Sequence, residues 1–238
     1  MIRIKFWLIV VLTVILSISG FSQDKKPWNK PIYDEYPYHF GFSLGLNTFG
    51  ARIINSNEFF SLDTVYAIET KSQPGFSVLM VSSLRLGENF ELRFTPGLIF
   101  GQRDLHYLHN LQPDTLILTK HIMRVESTYA SFPLLLKYRS IRVNNYRPYL
   151  IAGINYTLDL ESEKKIRDEE RPKIRLSRND LYFEAGIGLD YYLPYFKFAT
   201  ELKFSFGVMN LLRPDNTEYT RAIETINGRL FSILFYFE

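Results

Sequence analysis

Tyr38-His39-Phe40-Gly41-Phe42-Ser43-Leu44-Gly45-Leu46-Asn47 alternates, residue by residue, between large apolar side chains and small or polar ones. Successive side chains of a strand point to opposite faces. The run therefore predicts a strand with one apolar face and one polar, glycine-bearing face. The period recurs at Phe76, Val78, Met80 and Leu84, at Phe90, Leu92, Phe94, Leu98 and Phe100, and at Phe132, Leu134, Leu136 and Tyr138. It returns at Leu150, Ala152, Ile154, Tyr156 and Leu158, and again at Phe183, Ala185, Ile187, Leu189 and Tyr191. Phe196, Phe198, Leu202, Phe204, Phe206 and Val208 form the next run, and Phe231, Ile233, Phe235 and Phe237 the last. The sum is eight strands of about ten residues, a length that crosses a bilayer when tilted.

The spacing between strands separates the possible barrels. Strand pairs two–three, four–five and six–seven are joined by Gly87-Glu88-Asn89, by Ser140 to Asn145 and by Pro194-Tyr195. The other four connections run to roughly 20 residues each, which is uncommon inside compact soluble domains. Short turns at one end and long loops at the other characterise outer-membrane barrels. The expected fold is an all-β, eight-stranded antiparallel transmembrane β-barrel with short periplasmic turns and long extracellular loops.

Glycine assigns the faces. Gly41, Gly45, Gly97, Gly101, Gly153, Gly186, Gly188 and Gly207 all share the polar face. A solvated strand face gains nothing from glycine, whereas a narrow eight-stranded lumen needs small residues. The Phe/Leu face then meets outer-membrane lipid. Arg85, Glu91, Arg93, Lys137, Glu184, Asp190, Glu201 and Lys203 fall in the lumen, four basic and four acidic. Unpaired they would be costly, so they are expected to neutralise one another as a structural plug.

The flanks and the composition fit an exported chain. Arg3 and Lys5 precede an apolar run from Phe6 to Ile18, and Gly20-Phe21-Ser22 gives way to polar Gln23-Asp24-Lys25-Lys26. That layout predicts a signal peptide over 1–22, cut after Ser22 on Sec-type export. Pro27, Pro31 and Pro37 predict an extended periplasmic leader over 23–37, ahead of a barrel over 38–238. The absence of Cys excludes disulfides and thiolate chemistry. A formal charge of +3 is too small to mark a nucleic-acid partner. Aromatic residues reach 16% while mean hydropathy stays at -0.09, as alternation rather than apolar blocks requires.

Candidate chemistry is thin. His106 and His109, with Asp104 and His121 nearby, fall in a long connection and lack the H-E-x-x-H pattern of a metal site. Ser127, Ser131 and His39 are the residue types of a lipid hydrolase, but no motif fixes their geometry. The stretch 159–180 carries seven acidic and seven basic residues, which predicts a solvated loop open to a protein partner. No cofactor and no catalytic residue is expected.

Several stretches resemble PorT, an outer-membrane barrel family of the type IX secretion system in Bacteroidota, also linked to gliding motility. They include Phe40-Gly41-Phe42, Leu92-Arg93-Phe94 and Phe100-Gly101-Gln102-Arg103. More specific are Phe132-Pro133-Leu134-Leu135-Leu136-Lys137-Tyr138 and Asn144-Asn145-Tyr146-Arg147-Pro148-Tyr149. Ala152-Gly153-Ile154-Asn155-Tyr156, Tyr195-Phe196-Lys197-Phe198 and the closing Phe237-Glu238 follow in order. The resemblance implies a non-enzymatic part in exporting proteins with a C-terminal secretion domain, alongside other secretion-system proteins, in a Gram-negative outer membrane. The alternatives are a lipid-modifying barrel enzyme and a loop-based binding or adhesin-type barrel.

Overall fold

The computed structural model describes residues 28–56, 65–112, 115–161, 177–213 and 223–238. The strands are β1 (Tyr38–Asn55), β2 (Val65–Arg85), β3 (Phe90–Phe94), β4 (Gly97–Gln112) and β5 (Thr115–Arg139). β6 (Tyr146–Asp159), β7 (Asn179–Tyr192), β8 (Lys197–Gly207) and β9 (Ile223–Phe237) complete the sheet. All pairings are antiparallel, and β1 pairs with β2 on one edge and β9 on the other, so the sheet closes into a ring.

Nine elements make eight staves. Phe94 faces Leu134 and Gly97 faces Ser131, so β3 and β4 keep one register along β5. The break falls at Thr95-Pro96, opposite Pro133. Neither proline has an N–H to give the ladder, and Pro96 instead accepts from the Met80 N–H at 2.8 Å.

The two faces lie as the alternation requires. Phe40, Phe42, Leu44 and Leu46 of β1 are exposed, while Ser43, Gly45, Asn47 and Phe49 point inward. Outward rings pair across strands: Phe42 with Phe237 at 5.0 Å, Phe76 with Phe100 at 4.7 Å, Phe204 with Phe231 at 4.9 Å. The inside is not polar throughout. Leu79, Ile99, Leu135, Ile151, Leu234 and the stacked rings of Phe49 and Tyr129 form an apolar core between the polar groups. Glycine makes room for it. A Cβ on Gly101 would strike the Phe49 ring, and one on Gly188 would strike the Tyr149 ring.

The strands outrun their periodic cores. The connection expected as a long third-to-fourth loop is largely a hairpin, with β4 reaching Gln112 and β5 starting at Thr115. β5 has 25 residues. At roughly 3.4 Å per residue that exceeds a hydrocarbon core of roughly 30 Å even when steeply tilted. The hairpin's paired backbone therefore projects past the bilayer, beyond the region where lipid and lumen enforce alternation. His106, His109 and His121, expected on a loop, lie on these paired strands, with His106 opposite Ile122 and His121 opposite Tyr107. Most of the charged stretch at 159–180 lies outside the described residues, as do residues 1–22, expected as a signal peptide, and residues 23–27.

Candidate functional site

The lower lumen, toward the short turns, is crossed by ion pairs held on facing strands. Arg93 of β3 is fully buried and reaches Glu91 at 3.2 Å, Glu238 at 2.8 Å and Glu201 at 3.8 Å. Its Nε donates to Ser83 Oγ at 3.2 Å, and its guanidinium stacks on the Tyr236 ring at 4.8 Å. Glu201 accepts from the hydroxyls of Tyr149 (2.9 Å) and Tyr236 (2.8 Å). Lys137 gives both its bonds to Asp190, each at 2.9 Å, and lies 3.8 Å from the Tyr149 ring centre. Lys203 pairs with Glu184 at 2.9 Å, and Glu184 also accepts from Asn155 and Ser205. Buried charges are tolerable only with such geometry and with their remaining sites satisfied.

Seven of the eight residues assigned to the lumen from sequence sit there. Arg85 does not. It ends β2, past the lumen, where its Nε donates to the Gly87 carbonyl at 3.1 Å in the exposed β2–β3 turn. Its inward parity leaves it only partly buried there. Three members escaped the sequence reading. Lys197 pairs with Glu238, and Arg139 stands 3.5 Å from Glu91. Lys197 and Arg139 are the end residues of their strands and Glu238 lies beyond β9, so the patterned runs gave little weight to any of them.

Below the network, residues 28–37 close the mouth. The expected extended leader is only partly extended, because Tyr33–Glu35 forms a 3-10 turn. Asp34 accepts from the Tyr192 hydroxyl at 2.7 Å and meets three guanidiniums, Arg147 at 3.3 Å, Arg139 at 3.4 Å and Arg142 at 3.7 Å. Tyr33 lies against His39 at 4.5 Å, and its carbonyl accepts from His39 Nε2 at 2.9 Å. Asn29 is tied to the β5–β6 turn by Asn145 Oδ1 and to β7 by the Tyr192 carbonyl, both at 2.9 Å. Arg142 lies between the rings of Trp28 and Tyr192 and donates to the Asn29 carbonyl. Burial pulls the Arg142 guanidinium below its ordinary pKa, against the pull of Tyr192 and Asp34 the other way, and burial raises the Tyr33 phenol.

Among the described residues, Ser127, Ser131 and His39 do not converge. His39 is committed to Tyr33, and Ser131 donates to Asn155 at 3.0 Å. Ser127, four residues along β5, bonds to neither of them. Among the described residues no group of three or more His, Asp or Glu is placed to hold a metal ion.

No curated protein matches the chain in sequence. Among solved structures, Neisserial surface protein A is similar at 12% identity and a TM-score of 0.40, over 85% of this chain and 99% of that one. Ail, the attachment invasion locus protein of Yersinia pestis, solved with a heparin analogue, is similar at 12% identity and 0.39, over 83% and 96%. The outer membrane protease OmpT of Escherichia coli is similar at 13% identity and 0.43, over 84% and 96%. A ring of eight antiparallel staves, apolar outside and charge-paired within, agrees with a family match over residues 21–213, and the chain belongs to the outer membrane protein beta-barrel domain family.

Proposed function

We propose that this outer-membrane barrel is a non-enzymatic component of a type IX secretion system, in the manner of PorT, acting in assembly or as a scaffold. The carrying observation is the closed lumen: Arg93, Lys137, Glu201 and Glu238 span it, and residues 28–37 cover its mouth. Eight staves leave an interior just filled by side chains, so cargo has no path through this chain. Work done beside a closed barrel is done by contact, and the surfaces for it are the leader, the short turns and the projecting β4–β5 hairpin. The stretches from Phe132 to Tyr138 and from Asn144 to Tyr149, similar to PorT in order and content, support the specific system. On this reading the protein reaches the outer membrane by Sec-type export, needs no cofactor, and has outer-membrane lipid and other secretion-system proteins as partners.

The test is deletion of the gene in its own host, with secreted cargo followed by fractionation. Unprocessed cargo bearing its C-terminal secretion domain should accumulate in the periplasm, and surface gliding should be lost where the host glides. Normal export in the deletion strain overturns the proposal.

A further inference from the structure

The mouth holds residues 28–36 as a receptor holds a peptide. The segment joins no strand, and what fixes it is a set of side-chain contacts. Tyr33 packs on His39, Asp34 lies among Arg139, Arg142 and Arg147, and Asn29 is held by Asn145. Release of the segment therefore costs no ladder hydrogen bond. Docking also holds Lys30 at φ 47, a left-handed conformation that residues other than Gly and Asn rarely adopt.

Charge adds a direction. One carboxylate sits among three guanidiniums, the neighbouring Glu35 is exposed, and among the described residues only Arg139 shares a second acid, Glu91. A segment that turned a second acid inward would satisfy the cradle better than Tyr33-Asp34-Glu35 does. Around it Trp28, Ile32, Tyr36, Ile141 and Val143 are exposed, an apolar rim outside the barrel wall of the kind that marks protein contact.

We propose that the mouth is a peptide-binding site occupied in cis by residues 28–36, which a partner displaces with its own segment. The partner is a periplasmic protein presenting an aromatic residue followed by acids, at least two of which turn into the cradle, where Glu35 of the leader turns out. This rests on the scaffold reading above and names its contact. Arg139, Arg142, Arg147 and Tyr192 take the acids, and the space of Tyr33 takes the ring. The freed leader becomes available to the same partner.

Trp28 reports the exchange, because it is one of two tryptophans and the other, Trp7, lies in the segment expected as a signal peptide and is replaced by Phe. The protein carrying Trp7→Phe, folded in detergent, is titrated with a synthetic peptide of the 28–37 sequence, carrying Phe for Trp and one added Asp after the Tyr-Asp pair. Trp28 emission intensity should change in a saturable way as the ring leaves the Arg142 guanidinium. A peptide with Asn in place of its acids should be at least about tenfold weaker, the scale of a lost charge-assisted hydrogen bond. An Asp34→Asn protein should release its own leader and bind the acidic peptide more tightly than the wild type does. Heat-modifiable mobility on gels shows that each variant is folded. An unmoved Trp28 at all peptide concentrations, or equal displacement by the Asn peptide, overturns the receptor. Neither result bears on export, which cargo fractionation decides separately.

Discussion

Gly188 and Tyr149 show how one missing side chain arranges a site. With no Cβ on β7, the Tyr149 ring lies across the wall and carries its hydroxyl to Glu201. Gly188→Val should force the ring aside and lose that bond, destabilising the folded barrel by about 1–3 kcal/mol. Urea titration of the heat-modifiable form in detergent measures it, and Tyr149→Ala should recover part of the loss if the two are coupled. Lys137 and Asp190 give a second test. Lys137→Met or Asp190→Asn alone leaves a buried group without its partner and should cost about 3–5 kcal/mol, whereas removing both charges together should cost clearly less. The midpoint of unfolding from lipid vesicles distinguishes the two cases. A double variant that costs the sum of the two single losses would show that Lys137 and Asp190 act independently. The members of this network that the sequence reading found, Glu91 and Arg93 for example, sit inside patterned runs. Lys197 and Glu238 sit at the ends of theirs, and the pairing of β8 with β9 brings them together.

At the level of elements, the outer face of β5 carries Phe132, Leu134, Leu136 and Tyr138, all exposed. Leu134 lies in the middle of this band and Tyr138 at its rim. An outward Arg costs about 2–4 kcal/mol at the bilayer midplane and about 0–1 near the interface. Leu134→Arg should therefore hinder folding into vesicles far more than Tyr138→Arg, read as the folded fraction on gels. Such faces were legible because lipid on one side and a packed lumen on the other impose opposite chemistries on alternate residues. The outer parts of β4 and β5 were not, since the paired stretches 105–112 and 115–120 lie beyond the bilayer and their sequence mixes polar and apolar residues without a period of two. The leader was illegible for a different reason. Its 3-10 turn is set by Asp34 meeting arginines more than 100 residues away, and no local pattern encodes that.

For the whole molecule, the ring, its staves and their facing followed from period, turn spacing and glycine, while the half-apolar lumen did not. Inward Leu79, Leu135 and Ile151 interrupt the polar face, and a binary pattern counts them as noise. The packed interior has a direct electrical consequence. Purified protein reconstituted in planar bilayers should give no large or stable conductance. If it did, the network would have to open under voltage and the closed-scaffold account would fail.

Glu238 lies just beyond β9, the strand that joins β8 to β1, and its side chain sits on Arg93 of β3 and Lys197 of β8. Its acid meets Lys197 through the β8–β9 pairing, but it meets Arg93 only when the seam between the last and first staves is zipped. Before that moment Arg93 lacks its shortest ion pair, and hydrocarbon is a poor host for an under-paired guanidinium. Complete release into lipid is thereby coupled to completion of the circle, and a half-made sheet is held back at the water's edge.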